Sequence, residues 1–147
     1  MIEQCASIDQ AGWLVLREAL WPGAPRHEHI AEMSAFLEDP ARYAQFVAYG
    51  ATGEFCGFAE ASVRGDCVNG AESSPVPFLE GLYVAPQHRR RGIAKELVAA
   101  VAQWARRAGH GELASDALLN NELSHAVHRA LGFTETERVV FYRKAIP

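Results

Sequence analysis

The amino-acid sequence predicts a single α/β domain, residues 1–147, in which helices flank a mixed, mostly antiparallel β-sheet. The length of 147 residues suits one domain with its own hydrophobic core. Helical and strand-like apolar patterns follow one another in the order β-α-α-β-β-β-α-β-α-β-β. No repeat, linker or low-complexity stretch divides that series. We therefore expect one sheet with helices packed against it.

Two helices are predicted near the N-terminus, after a short strand at residues 2–6. Asp9 is expected to cap the first helix, whose apolar residues recur at helical spacing: Trp13, Leu16 and Leu20. The second helix is expected from His27 to Glu38, closed by Pro40. Its predicted buried face consists of Ile30, Met33 and Leu37.

A hairpin and a loop are predicted next. Residues 43–50 and 54–64 form two apolar runs joined by a short turn that contains Gly53, which is typical of an antiparallel hairpin. Residues 65–77 contain Asn69-Gly70 and Ser73-Ser74-Pro75, which are typical of a loop or a hairpin tip.

The stretch from Phe78 to Leu97 carries the clearest chemical signal. It begins as an apolar strand, breaks at Pro86, and passes through an arginine-rich loop into a helix predicted over Arg91 to Ala108. A turn with Gly92 at a helix start leaves backbone N–H groups unpaired, and the helix dipole adds positive charge there. Such a loop predicts an anion site, most naturally for phosphate.

The C-terminal third is predicted to hold a short buried strand at residues 111–115, a helix and two final strands. Asn120 or Asn121 is expected to cap the helix, and Gly132 to end it. The predicted inner face of this helix consists of Leu123, Ala126, Val127, Ala130 and Leu131. The final strands are expected over Phe133 to Glu137 and Arg138 to Lys144.

Composition narrows the classes of function. Hydrophobic residues make up 49% and charged residues 22% of the chain, as in ordinary globular proteins. No apolar run is long enough for a membrane span, and MIEQCASIDQ does not resemble a signal peptide, so we expect a cytoplasmic protein without a membrane partner. The cysteines, Cys5, Cys56 and Cys67, lack metal-type spacing and fit reduced thiols. The net charge of −4 argues weakly against nucleic acid and permits a cationic substrate.

The spacing Arg89-x-x-Gly92-x-Ala94 after an apolar strand resembles the cofactor loop of the GNAT (Gcn5-related) N-acetyltransferases, whose element order also matches this chain. The resemblance implies the GNAT fold and acetyl coenzyme A as acetyl donor. The implied cofactor contacts are the central-strand residues Leu82, Tyr83 and Val84, the loop residues Arg89, Arg90, Arg91, Gly92, Ile93, Ala94 and Lys95, and Asn121. A β-bulge near Gly81 is expected to open a gap for the pantetheine arm. Without these flanks, the arginines would equally suit a solvated cluster or a nucleic-acid patch.

Further segments resemble the aminoglycoside 6'-N-acetyltransferases, namely LWPG at 20–23, VNG and ESSPV within 68–76, FLEG at 78–81, ELASD at 112–116 and ALGFTETERV at 130–139. This resemblance implies Trp21, Glu80, Asp116 and Glu137 as aminoglycoside contacts, resistance as the role, and a homodimer with the final strands as candidate interface. Carboxylates suit a polycationic substrate on chemical grounds as well. Cys67 stands where related enzymes carry a substrate-contacting tyrosine, so drug preference is open.

The expected reaction is direct transfer in a ternary complex. Asp116 or Glu80 is the candidate base that deprotonates the amine, and the backbone N–H of Leu82 is a candidate oxyanion donor. Many family members protonate the leaving thiolate with a tyrosine, whose place here is taken by His128, equally well interpreted as a helix-surface residue. Tyr142 is a weaker candidate acid. No Cys67 nucleophile is predicted, because no histidine pairs with it in the local sequence. No metal is predicted at His27-Glu28-His29, because side chains at helix positions i and i+2 point in different directions.

Two alternatives stay open at the level of sequence. One is an acetyltransferase of the same fold acting on another amine, such as a protein N-terminus, a lysine or a polyamine. The other is a non-catalytic acyl coenzyme A sensor. The carboxylates Glu80, Asp116 and Glu137 favour a small polycation over a peptide and argue against a sensor.

Overall fold

The computed structural model describes residues 1–147 and contains a four-stranded antiparallel sheet with helices on both faces. The elements are β1 (Ile2–Gln4), α1 (Trp13–Leu20), α2 (Arg26–Glu38), β2 (Tyr43–Tyr49), β3 (Phe55–Arg64), β4 (Val76–Val84), a 3₁₀ turn (Pro86–His88), α3 (Ile93–Arg107) and α4 (Glu122–Ala130). The strands are ordered β1-β2-β3-β4. The predicted α/β class is confirmed. No helix has the length and apolar character needed to cross a bilayer.

The strand predicted at residues 111–115 is reduced to one parallel bridge between Ala114 and Phe78 of β4. The Leu79 N–H donates to the Ala114 carbonyl at 2.8 Å, and the Ala114 N–H donates to the Pro77 carbonyl at 2.9 Å. The sheet is therefore antiparallel with one parallel contact at its outer edge, and β4 is its last full strand.

Two hydrophobic cores lie on opposite faces of the sheet. On one face α3 packs Leu97, Val98 and Val101 against β2, β3 and β4. On the other face Trp13 and Met33, from α1 and α2, pack with buried residues of the sheet. The sheet is thus covered on both sides, and the loops at the end of β4 remain accessible for binding.

The structure corrects two expectations for the N-terminal helices. Gly12, with φ of 85°, and not Asp9, immediately precedes α1, which begins at the fully buried Trp13. On α2, Ile30 is 37% exposed, whereas His29 is buried beside Met33. His29 and Met33 are four residues apart and so share the face that docks on the sheet, which turns Ile30 away from it.

The C-terminal third departs most from prediction. Asn121 caps α4 as expected, but most of the predicted inner face is wrong, because α4 has no buried residue and Leu123 is 73% exposed. Only Leu131, directly after the helix, packs against the core as predicted. Neither final strand forms, and residues 133–147 contain no regular secondary structure. A strand needs a partner edge for its backbone groups, and no strand of the sheet pairs with this segment.

Candidate active site

The loop between β4 and α3 is built to expose backbone N–H groups. Arg90 and Gly92 both adopt left-handed backbone conformations, with φ of 60° and 84°. The N–H groups of residues 90–95 donate to no backbone acceptor. They surround the N-terminus of the 15-residue helix α3, whose dipole favours an anion. This geometry fits a pyrophosphate group.

The Arg89 side chain binds the end of β4 and not the exposed N–H groups of the loop. Its Nε donates to the carbonyl oxygen of Val84 at 2.8 Å, and its guanidinium lies 5.7 Å from the centre of the Tyr83 ring. The Arg89 side chain therefore fastens the loop to the end of β4, while the backbone of residues 90–95 presents N–H groups without backbone acceptors.

A β-bulge interrupts β4 next to Glu80. Leu79 pairs with Ala61 and Gly81 pairs with Glu60, so Glu80 is an extra residue between two ladder positions. The bulge changes the alternation of side chains, which places Leu79 and Leu82 in the same core although they are three residues apart. The expected bulge at Gly81 is thus present, and it directs Glu80 outward.

Beyond the bulge, one edge of β4 is open. The Ala85 N–H bonds back to Cys56 at 2.8 Å, so the antiparallel alternation directs the backbone groups of Leu82 and Val84 away from β3. The residues that follow Ala114 do not continue the parallel pairing. Leu82 and Val84 can therefore receive an extended ligand along this edge, whereas Tyr83 is engaged with β3.

Trp21 lies directly over the bulge. A β-carbon added to Gly81 would come 2.5 Å from Trp21 Cη2, so only glycine allows the ring to pack there. The ring also meets Phe58 edge-on at 5.9 Å and lies 5.2 Å from the Arg17 guanidinium. His29 Nε2 donates to the Trp21 carbonyl at 3.2 Å. Trp21 is thus held rigidly beside Glu80.

Glu80 is already engaged by two residues of β3. Its carboxylate accepts from Ser62 Oγ at 2.6 Å and from Arg64 Nε and Nη2 at 2.8 and 2.7 Å. The hydrogen bonds from Arg64 to Glu80 raise the pKa of Arg64, and the negative charge of Asp116 adds to this rise. Asp116 therefore lies within electrostatic reach of the pair. Asp116 is exposed and makes no ion pair, whereas Glu80 is bound to Arg64.

The other predicted substrate contacts lie on adjoining loops. Gly70, three residues after the exposed Cys67, packs against Thr136 and Glu137. The Glu112 carboxylate accepts from the N–H groups of Glu72 and Ser73 at 3.0 and 2.6 Å and anchors the loop. Glu137 is exposed at the start of the C-terminal segment. The loop thus packs against Glu137, while no hydrogen bond or ion pair connects Glu137 or Cys67 to Glu80.

His128 and Asn121 both lie on or next to α4. The Asn121 side chain accepts from the Ser124 N–H at 3.1 Å, so it acts as a helix cap. His128 Nε2 lies 2.8 Å from Ser115 Oγ. Sequence reasoning missed Ser115, as well as Ser62 and Arg64. The last two share one face of β3 opposite Glu80, a relation that appears only once the strand register is known.

The comparisons with known proteins agree with this geometry. Residues 13–133 match the model of the Acetyltransferase (GNAT) family. The chain is 50% identical over 146 residues to an aminoglycoside N(6')-acetyltransferase type 1 of Serratia marcescens, covering 99% of each chain. A protein of the same name from Salmonella typhimurium is 52% identical over 132 residues, 90% of each chain.

Solved structures give the same result. The structure of AAC(6')-Iy with the bisubstrate analogue CoA-S-monomethyl-acetylneamine superposes with a TM-score of 0.92 at 47% identity and covers 99% of this chain and 98% of that one. The apo aminoglycoside 6'-N-acetyltransferase AAC(6')-IG of Acinetobacter haemolyticus has a TM-score of 0.91 at 42% identity, with 100% and 99% covered. Family match, identity and fold coincide over nearly the whole chain, and the chain belongs to the GNAT family of acetyltransferases.

Proposed function

We propose that this protein is an aminoglycoside 6'-N-acetyltransferase that confers resistance by acetylating the 6'-amine with acetyl coenzyme A. The observation that carries the proposal is the 50% identity over 99% of the chain to an aminoglycoside N(6')-acetyltransferase. The arrangement of Trp21, Glu80 and Asp116 around the open edge of β4 supports it, because an aromatic ring and carboxylates suit a cationic sugar.

The residues of the loop and β4 fit the acetyl donor. The unpaired N–H groups of residues 90–95 would receive the pyrophosphate, and Leu82 and Val84 would pair with the pantetheine arm. Acetyl coenzyme A supplies the thioester. Structures of related AAC(6')-Iy hold CoA or a CoA-linked bisubstrate analogue, which supports this assignment. Asn121 contributes by fixing the start of α4.

The proposed mechanism is direct attack in a ternary complex. Asp116 takes the first proton from the ammonium group, because Glu80 is bound to Arg64 and orients the substrate instead. The outward-directed N–H of Leu82 stabilises the oxyanion. His128 supplies the proton for the leaving thiolate, and Glu137 and Cys67 contact the distal part of the aminoglycoside.

We also propose a cytoplasmic homodimer. Phe141 and Tyr142 are 85% and 91% exposed in a segment without secondary structure, and apolar residues exposed in this way are typical of an interface. A second copy could pair with the two predicted final strands, which pair with no strand of their own chain. Three free cysteines suit a reducing compartment such as the cytoplasm.

Thiol release from acetyl coenzyme A tests the proposal. We expect rapid release with kanamycin or tobramycin, much slower release with spermidine or a lysine peptide, and NMR of the product to show acetyl at the 6'-nitrogen. A preference for spermidine or the peptide would overturn the substrate assignment. Binding of acetyl coenzyme A without transfer to any amine would favour a sensor, and an acetyl group on Cys67 would contradict direct transfer.

A further inference from the structure

His128 is held between two serines. Its Nε2 lies 2.8 Å from Ser115 Oγ, and its Nδ1 lies 2.7 Å from the carbonyl oxygen of Ser124 and 3.2 Å from the Ser124 hydroxyl. The ring meets Phe133 edge-on at 5.2 Å. Contacts at both nitrogens and on the ring therefore define one orientation of the imidazole.

The contact with Ser124 assigns the tautomer. A carbonyl oxygen only accepts hydrogen bonds, so Nδ1 carries the hydrogen. In the neutral ring Nε2 is then an acceptor, and the Ser115 hydroxyl donates to it. This pairing polarises the Ser115 oxygen and gives its proton a destination, as in pairs of a hydroxyl group and a general base.

Ser115 lies where the two parallel segments separate. It directly follows Ala114, whose N–H and carbonyl make the bonds to β4. The negative charge of the next residue, Asp116, contributes to the raised pKa of Arg64, which is bound to Glu80. The Ser115–His128 pair is thus attached to the end of the gap in which Leu82 and Val84 present their free backbone groups.

We infer that Ser115 is a catalytic proton relay, with His128 acting through it as the proton store. This inference rests on the proposed acetyl transfer. As the amine nitrogen bonds to the acetyl carbon, its excess proton passes to Ser115 Oγ while the Ser115 proton passes to His128 Nε2. When the C–S bond breaks, its electron pair stays on sulfur, and the two proton transfers reverse to yield the free thiol.

All protons of the reaction are accounted for, and one is released to water. An ammonium group loses two protons in becoming an amide. The first passes to Asp116 and then to water, and the second crosses the relay and ends on sulfur. His128 and Ser115 return to their starting protonation, so neither is consumed.

Two substitutions test the relay. Ser115→Ala removes the hydroxyl, and His128→Gln keeps a hydrogen-bonding group that takes up no proton at neutral pH. Each should lower kcat by about 10²-fold, as expected for lost acid–base catalysis. The dissociation constants for acetyl coenzyme A and kanamycin should change less than about threefold, because neither residue is needed to hold the ligands.

Three further variants distinguish catalysis from packing. Ser115→Thr restores the hydroxyl and should recover most of kcat. The double variant should lose no more than either single variant, because both act in one step. Ser34→Ala, on α2, changes a serine that makes none of the site contacts described above; it is the matched control and should retain wild-type kcat.

Wild-type kcat in Ser115→Ala, or multiplied losses in the double variant, would overturn the relay. If the proposed function is wrong, the wild-type protein acetylates spermidine or a peptide and acetylates no aminoglycoside. The same variants are then compared with that amine. A wild-type protein that acetylates no amine overturns both.

Discussion

Glu60 is a buried carboxyl group on β3 that sequence reasoning did not single out. Its Oε1 accepts from Trp13 Nε1 at 2.7 Å and lies 3.4 Å from Arg17 Nε. Burial raises its pKa from 4.5 to about 7, and the charge of Arg17 opposes that rise only in part. The folded protein therefore holds a proton on Glu60 at pH values where the unfolded chain has released it.

The sign of the pH effect follows from that difference. Stability from Glu60 is fully present below pH 4.5 and is lost as pH rises to about 7. Glu60→Gln, which resembles the protonated carboxyl, should match the wild type near pH 4 and be more stable at pH 8 by on the order of 3 kcal/mol. Urea unfolding at both pH values measures this. A difference that does not change with pH would contradict it.

Asp116 is the proposed base, and its substitution tests that role. Asp116→Asn keeps the size of the side chain but removes the base, so kcat should fall about 10²-fold while acetyl coenzyme A binding stays the same. Steady-state kinetics and calorimetry check the two quantities. Asp9→Asn, an exposed aspartate near the N-terminus, is the control. An unchanged kcat would remove Asp116 from the role of base.

At the scale of elements, the bulge in β4 links fold and site. It places Glu80 outward, directs Leu82 to the open edge, and brings Gly81 under Trp21. The sequence predicted the bulge because glycine in a strand often marks one. It did not predict that Trp21 requires the glycine, because that contact joins residues 60 positions apart in the chain.

Gly81→Ala tests this packing. The added carbon would lie 2.5 Å from Trp21 Cη2, so the ring must move, and we expect a loss of about 1–3 kcal/mol in unfolding free energy. KM for kanamycin should rise, with little change for acetyl coenzyme A. Urea unfolding and kinetics measure both. Gly111→Ala, where an added carbon meets nothing within 4 Å, should behave as the wild type; equal effects in the two variants would refute the explanation.

At the scale of the whole molecule, the C-terminal segment leaves an apolar surface uncovered. Phe141, Tyr142 and Ile146 are all at least 85% exposed, and α4 buries none of its residues. The apolar pattern suggested two strands, but residues 133–147 pair with neither edge strand of their own sheet, β1 or β4. This mismatch between pattern and fold is the physical reason to expect a second copy.

Sedimentation tests that expectation. The wild type should have a mass of about 32 kDa, twice the chain mass of 16.1 kDa, because dimerisation removes the apolar side chains from water. Phe141→Asp should sediment as a monomer. Val15→Ser removes an exposed apolar residue on α1 and should leave the dimer intact. A wild-type monomer at micromolar concentration would disprove the proposal.

The sequence by itself determined the fold class, the hairpin, the glycine-containing loop before α3 and the bulge. These features depend on neighbours in the chain, such as Gly92 before an amphipathic helix and Gly81 within a strand. Only the tertiary structure decided that Glu80 is bound to Arg64, that Ser115 faces His128, that Glu60 is buried, and that the last segment has no partner. Those relations depend on strand register and helix docking, which bring together residues that no local pattern connects.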